Sequence, residues 1–405
     1  MNTLKKIYCR TFQEIFHIAI PLLPYRKPKI LTNMEDLGNM LEKKHISSVL
    51  LVTDKSIRGF GITANLEKVL EKKNISCTVY DETVANPTTS NVEEARQLYI
   101  DNDCQALIGF GGGSSIDCAK AVGARIARPK TQLADMEGIL KVHKKLPTLI
   151  AIPTTAGTGS ETTLAAVITD SDTRHKYPIN DFPLIPHYAV LDCEVTRTLP
   201  PSLTATTGMD ALTHAVEAYI GRSTTAGTRR DATHAVELIF KYLKPACEDG
   251  NNMKARKQML YAAYLAGSAF TKSYVGYVHA VAHSLGGKYN TPHGLANAVL
   301  LPFVLEEYGE AAHKKLHELA IAVGISTEEE SHAEGATKFI AAIKQMKRDL
   351  NIGDTIKGIK EEDIPVLARI AEHEANPLYP VPKLMTAKEL EKFYYCVYEK
   401  CEVNE

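Results

Sequence analysis

No charge sign dominates this chain. Its 405 residues carry 47 Lys and Arg against 48 Asp and Glu, a formal net charge of −1. Phosphate backbones are bound by a basic excess, so nucleic acid is excluded as the main partner. There is no Cys-x-x-Cys pair, and the eight cysteines follow no regular spacing. In a chain of this length that pattern reads as free thiols in a reducing compartment, not as a disulfide framework. No apolar run reaches the length of a membrane-spanning helix. No internal repeat and no low-complexity tract is found. Near the N-terminus Leu4, Ile7, Tyr8, Phe12, Ile15 and Phe16 recur at helical spacing, but Gln13, Glu14 and His17 interrupt the run, which argues against a signal peptide. A membrane-surface helix is one reading of residues 1–25. The favoured one is an amphipathic helix packed on the protein or on a second subunit. Together these absences place the protein in the cytoplasm.

What is present is enough apolar material for two domains, since 44% of the residues are hydrophobic. Between residues 29 and 199, short β-branched or apolar runs alternate with helical stretches. Strands are expected at 48–53, 76–80, 106–109 and 148–152, with helices at 62–73, 91–101 and 117–128. That alternation implies a parallel sheet covered by helices on both faces. The pattern changes after Pro200 and Pro201, because proline resists continuing either element. Beyond it the periodicity is helical. The expected architecture is an α/β dinucleotide-binding domain with a Rossmann-like parallel sheet (residues 1–200), then an all-α domain (residues 201–405), with a ligand cleft between them.

The strand ending near Gly109 runs into Gly111, Gly112 and Gly113, then Ser114, Ser115, Ile116 and Asp117. Three adjacent glycines let the backbone approach a ligand without Cβ interference. Ser114 suits a helix N-cap with Asp117 three residues on. A helix start of this kind attracts an anion such as a pyrophosphate. Cys118, in the same motif, reads as a small buried apolar residue. After the strand at 148–152 comes a hydroxyl-rich loop from Pro153 to Thr163, at the strand end where open α/β sheets bind ligands. Asp54 directly follows another strand. There a carboxylate accepts hydrogen bonds from ribose hydroxyls and repels a 2′-phosphate, favouring NAD over NADP. A turn aspartate is the equal alternative.

The helical half carries a sharper signal. Asp210 and His214 are four residues apart, and so are His279 and His283, on runs of small apolar residues. On a helix each pair shares one face. His293 follows in a turn marked by Pro292 and Gly294. Polar groups in apolar surroundings are costly unless partnered, so a divalent metal is the simplest explanation for these five residues. Carboxylate and imidazole donors suit iron, zinc, manganese or cobalt, and the absence of cysteine argues against a structural zinc site. The other histidines lack such partners and read as surface or core residues.

On these blocks the chain resembles the iron-containing (group III) alcohol dehydrogenase family over roughly residues 29–399. The resemblance implies that Asp210, His214, His279 and His293 are the metal ligands. It gives His283 as a nearby non-ligand facing nicotinamide and substrate, our candidate catalytic group. It implies cofactor contacts from Gly112, Gly113, Ser114 and Asp117, from Thr154, Thr155, Thr158 and Thr163, and from Asp54, Asn86, Val167 and Lys176. Fe(2+) is the implied metal, with zinc or manganese as alternatives. A homodimer or higher homo-oligomer is expected. Ala165 stands where diol-active members carry a polar residue facing the substrate, which argues against a diol such as propanediol. The expected activity is NAD-dependent interconversion of a small alcohol and its aldehyde. A glycerol-dehydrogenase-like enzyme and a non-catalytic NAD-binding protein on the same fold are the alternatives.

Overall fold

The computed structural model describes residues 1–399, so Cys401 lies outside the described residues. The chain forms two compact units, Pro24–Thr198 and Met1–Leu23 together with the residues from Leu199 on. The first helix, α1 (Thr3–Ala19), therefore groups with the helical unit and not with the α/β unit as expected.

The α/β unit contains strands β1 (Lys29–Leu31), β2 (Ser48–Val52), β3 (Ser76–Tyr80), β4 (Ala106–Gly111), β5 (Gly138–Ile139), β6 (Thr148–Pro153), β7 (Ala165–Thr169), β8 (Lys176–Asn180) and β9 (Tyr188–Val190). Its helices are α2 (Met34–Lys43), α3 (Lys55–Gly59), α4 (Ala64–Lys72), α5 (Thr89–Asp101) and α6 (Gly113–Ala127). Six strands make one sheet in the order β1-β9-β6-β4-β2-β3, and every neighbouring pair is parallel. Alternate residues of the central strands feed different cores. Leu50, Leu107 and Leu149 pack with α5 and α6, whereas Leu51, Ile108 and Ile150 pack with α2 and α4. A strand buried on both faces must be apolar throughout, which is why these strands read as continuous runs. The remaining strands form a smaller sheet, β5-β8-β7, in which β7 and β8 pair antiparallel. That hairpin was not anticipated.

The sheet's strand ends position the loops. Gly111 pairs with Pro153, so the glycine and threonine loops leave adjacent strands at the same edge. Asp54 lies two residues beyond the end of β2, which neighbours β4. Chain order reverses between β2 and β4, the switch point at which such sheets bind ligands.

In the second unit follow α7 (Pro201–Ile220), α8 (Ala226–Glu248), α9 (Met253–Ser273), α10 (Tyr277–Tyr289), α11 (His293–Tyr308), α12 (Glu310–Ala322), α13 (His332–Asp349), α14 (Ile364–Ala375) and α15 (Ala387–Val397). Helix α7 is almost wholly buried beyond its first turn. Among the described residues, no helix is long and apolar enough to cross a membrane.

Helix α1 leaves most of its apolar residues exposed. Cys9 and Gln13 are buried, while Leu4, Ile7, Tyr8, Ile15 and Ile18 stay exposed. The reason is local: the turn at residues 377–382 presents carbonyls that need donors. Gln13 donates to Pro377 and Tyr379 (3.2 and 2.8 Å), and Arg10 donates to Val381 and Pro382 (2.7 and 2.9 Å).

Candidate metal and cofactor sites

Three helices of the second unit build the candidate metal site. Helix α7 supplies Asp210 and His214, α10 supplies His279, and His293 is the first residue of α11 rather than part of a turn. One ligand atom from each of the four lies within 4.8 Å of the others. Asp210, His214 and His279 are buried, at 2%, 4% and 2% exposure, and His293 is half-exposed, so the cluster opens on the His293 side. A Cβ on Gly294 would meet the Thr206 carbonyl oxygen at 2.6 Å. Glycine there lets the start of α11 close on α7 and bring His293 Nε2 within 3.5 Å of Asp210 Oδ1.

Two residues outside the expected set orient these ligands. Glu217, two turns beyond Asp210 on α7, is fully buried and holds His279 Nδ1 at 2.6 Å. Its carboxylate also accepts the backbone N–H groups of Gly276 and Val278, both at 2.8 Å. With Nδ1–H donated to Glu217, the Nε2 lone pair of His279 faces the cluster, where it has no hydrogen-bond partner among the described residues. Asn297, on α11, donates from Nδ2 to Asp210 Oδ1 (2.7 Å) and lies 3.1 Å from His293 Nε2. Burial, then the neighbouring imidazoles of His214, His293 and His283, holds His279 well below the usual histidine range. Imidazoles around a carboxylate, with a buried acceptor nitrogen left over, fit a divalent cation.

His283 is not in the four-ligand group. Its Nδ1 lies 2.6 Å from Glu374 Oε1, and its ring stacks on His293 at 5.2 Å between centroids. Glu374 Oε1 also accepts the Tyr379 hydroxyl at 2.6 Å. Glu217, Asn297 and Glu374 were missed because each contact spans more than 60 residues, except those within one helix, and no local spacing signals it.

In the α/β unit the predicted cofactor residues converge on one loop cluster. Gly111 sits at φ +152°, and a Cβ there would meet Ser115 Oγ at 2.5 Å, so glycine is required. The N-cap of α6 is Gly112, without a side-chain cap, and Ser114 lies inside the helix. The expected Ser114–Asp117 capping box is therefore not formed. Ser114 Oγ instead accepts the Asn86 N–H at 3.3 Å, and Lys176 Nζ donates to Asn86 Oδ1 at 2.6 Å. Thr158 packs against Gly113, and Thr155 Oγ1 lies beside Gly112. The Thr154 N–H donates to the Gly111 carbonyl at 3.0 Å. Asp54 caps α3 through the Ile57 N–H (3.0 Å), while its Oδ2 lies 3.5 Å from Ser115 Oγ.

Asp117 faces inward. Ser160 Oγ donates to its Oδ1 (2.7 Å) and the Val167 N–H to its Oδ2 (3.1 Å). The buried Lys120 Nζ donates to Ser160 Oγ, Thr163 Oγ1 and the Ala165 carbonyl, at 3.0, 2.8 and 2.8 Å. This amine, missed in the sequence, ties the helix behind the glycine loop to the threonine loop. Burial lowers its pKa to about 8. Burial also raises Glu161, in the threonine loop, to about 7, and its Oε1 has no hydrogen-bond partner among the described residues.

Two outcomes follow from this geometry. Replacing Glu217 with glutamine keeps its size but weakens its hold on His279 Nδ1. Metal affinity, measured by chelator competition, is expected to fall about 10–100-fold; an unchanged affinity would show that Glu217 does not orient the ligand. The second concerns Glu161, whose folded pKa of about 7 exceeds its unfolded value of 4.5. Its stabilising contribution is full below pH 4.5 and lost as pH rises through 7, on the order of 3 kcal/mol. Compared with wild type, Glu161→Gln should therefore gain melting temperature progressively between pH 5 and pH 8. A pH-independent difference would contradict the assignment.

Comparison with known proteins identifies the family. The family model described as iron-containing alcohol dehydrogenase matches residues 31–193, and that of the Fe-containing alcohol dehydrogenase family, C-terminal, matches residues 204–398. The chain is 38% identical to alcohol dehydrogenase 4 of Saccharomyces cerevisiae over 346 residues, 84% of this chain and 89% of the relative. A crystal structure of 1,3-propanediol oxidoreductase superposes with a TM-score of 0.88 at 34% identity, covering 92% of this chain and 99% of that one. Sulfoacetaldehyde reductase from Bifidobacterium kashiwanohense, solved in complex with NAD+, gives a TM-score of 0.82 at 28% identity, covering 93% and 98%. With both units matched and the four-ligand cluster in place, the chain belongs to the iron-containing alcohol dehydrogenase family.

Proposed function

We propose that this protein interconverts a small alcohol and its aldehyde, using NAD(H) and a divalent cation, iron foremost, held by Asp210, His214, His279 and His293. The observation that carries the reading is the convergence of those four side chains, with His279 Nε2 turned into the cluster. A bound cation supplies Lewis acidity that lowers the pKa of a substrate hydroxyl, and the nicotinamide supplies or accepts the hydride. The chain's own residues do the rest. Glu217 fixes the tautomer of His279, and Asn297 orients Asp210. His283, its Nδ1 held by Glu374, takes the hydroxyl proton at Nε2 during oxidation and returns it during reduction.

The glycine loop, Asn86, Lys176 and the threonine loop are the cofactor's contacts in this reading, with Asp117, Thr163 and Val167 holding the loops in place. The Asp54 carboxylate would accept hydrogen bonds from a ribose and repel a 2′-phosphate, favouring NAD over NADP. The NAD+ complex of the Bifidobacterium relative supports that choice. A homodimer or higher homo-oligomer in the cytoplasm belongs to the same reading.

Protein stripped of metal and reconstituted anaerobically with Fe(II) is expected to oxidise NADH with at least one of a panel of short aldehydes. The stripped protein should be inactive. Tight NADH binding without turnover under any metal would favour a non-catalytic NAD-binding role instead.

A further inference from the structure

We propose that α1 is a positioning element for the open side of the metal cluster, acting through the turn at residues 377–382. The inference deepens the functional reading above and rests on it for its kinetic arm alone. Helix α1 lies outside the residues matched by either family model, which begin at residue 31. Gln13 and Arg10 send four donor bonds to carbonyls of one short turn, those of Pro377, Tyr379, Val381 and Pro382, and a fifth, from Arg10 Nη1 to Gln13 Oε1 (2.8 Å), ties the two side chains together. Gln13 is only 2% exposed, so its amide is committed to that turn.

The turn carries Tyr379, whose hydroxyl donates to Glu374 Oε1, the oxygen that holds His283 Nδ1. A second route joins the same parts. Phe16 of α1 meets Tyr274 edge to face at 5.1 Å, and Tyr274 meets Tyr379 at 6.3 Å. Tyr274 holds this place at φ +59°, in a backbone region non-glycine residues rarely adopt. Strain of that kind persists only where the surroundings over-determine it. Because Glu374 Oε1 holds His283 Nδ1 and is shared with the Tyr379 hydroxyl, the orientation of the His283 ring, which stacks on His293, depends on that oxygen. The metal ligands stand on α7, α10 and α11 and make none of these contacts with α1. The clamp therefore sets the His283 side without building the metal cage.

The test compares Gln13→Ala, Arg10→Ala and Arg10→Lys with wild type, in the full metal-loaded chain. Gln13→Met, which keeps bulk but removes both donors, replaces Gln13→Ala if that variant does not fold. Amide exchange at Tyr379 and Val381 should quicken about tenfold in the Ala and Met variants, the effect of losing one or two ordinary hydrogen bonds. Metal affinity should stay within about twofold of wild type, while KM for the best aldehyde rises about fivefold or more, and Arg10→Lys recovers part of the loss. Unchanged exchange would overturn the clamp. Faster exchange with unchanged KM and kcat would overturn the positioning role, and so would a matching loss of metal affinity. Should wild type show no turnover, the functional reading fails separately. The rate of His283 modification by diethylpyrocarbonate then decides: a faster rate in Gln13→Ala supports the proposal and an equal rate refutes it.

Discussion

Three imidazoles and a carboxylate drawn together in a helical core create a desolvation problem that the helical unit is organised to solve. Asp210 and His214 come from the same buried helix, so neither can turn to water. His279 is locked from behind by Glu217, which leaves its second nitrogen committed to the cluster. Such a set is stable when a cation supplies the missing partner. The buried Glu217 carboxylate, the Asn297 amide and the close approach at Gly294 all serve the same constraint. Each fixes one ligand atom in advance, so binding need not order it.

The α/β unit meets a comparable demand with an internal charge. Lys120 is fully buried and spends its three donors on Ser160, Thr163 and Ala165, with Asp117 3.9 Å away. Its role is to join two loops that leave neighbouring strands. The backbone around Gly111–Gly113 is thereby held against the threonine loop rather than left to adapt.

Much of this was legible in the sequence where the signal is local. The central strands showed as apolar runs because both of their faces are buried. The pairs Asp210/His214 and His279/His283 showed as four-residue spacings because helices place such residues on one face. What spacing could not show was which histidine of the second pair is turned away: His283 leaves the ligand group because Glu374, 91 residues on, holds it. Ser114 looked like a cap, yet the cap lies two residues earlier, at Gly112, and the Ser114 hydroxyl turns to Asn86. Helix α1 shows as amphipathic, but it is anchored by Gln13 and Arg10 while most of its apolar residues stay exposed. Periodicity reports where apolar side chains lie, not which carbonyls elsewhere need a donor.

The claim that most else depends on is that Asp210, His214, His279 and His293 hold one divalent cation. Anomalous scattering at the iron edge, from crystals grown anaerobically with Fe(II), tests it directly. The account predicts a single peak per chain, within coordination distance of one atom from each of the four residues, with His283 outside that distance. A peak bound elsewhere, or coordination that omits His279 or includes His283, would contradict it.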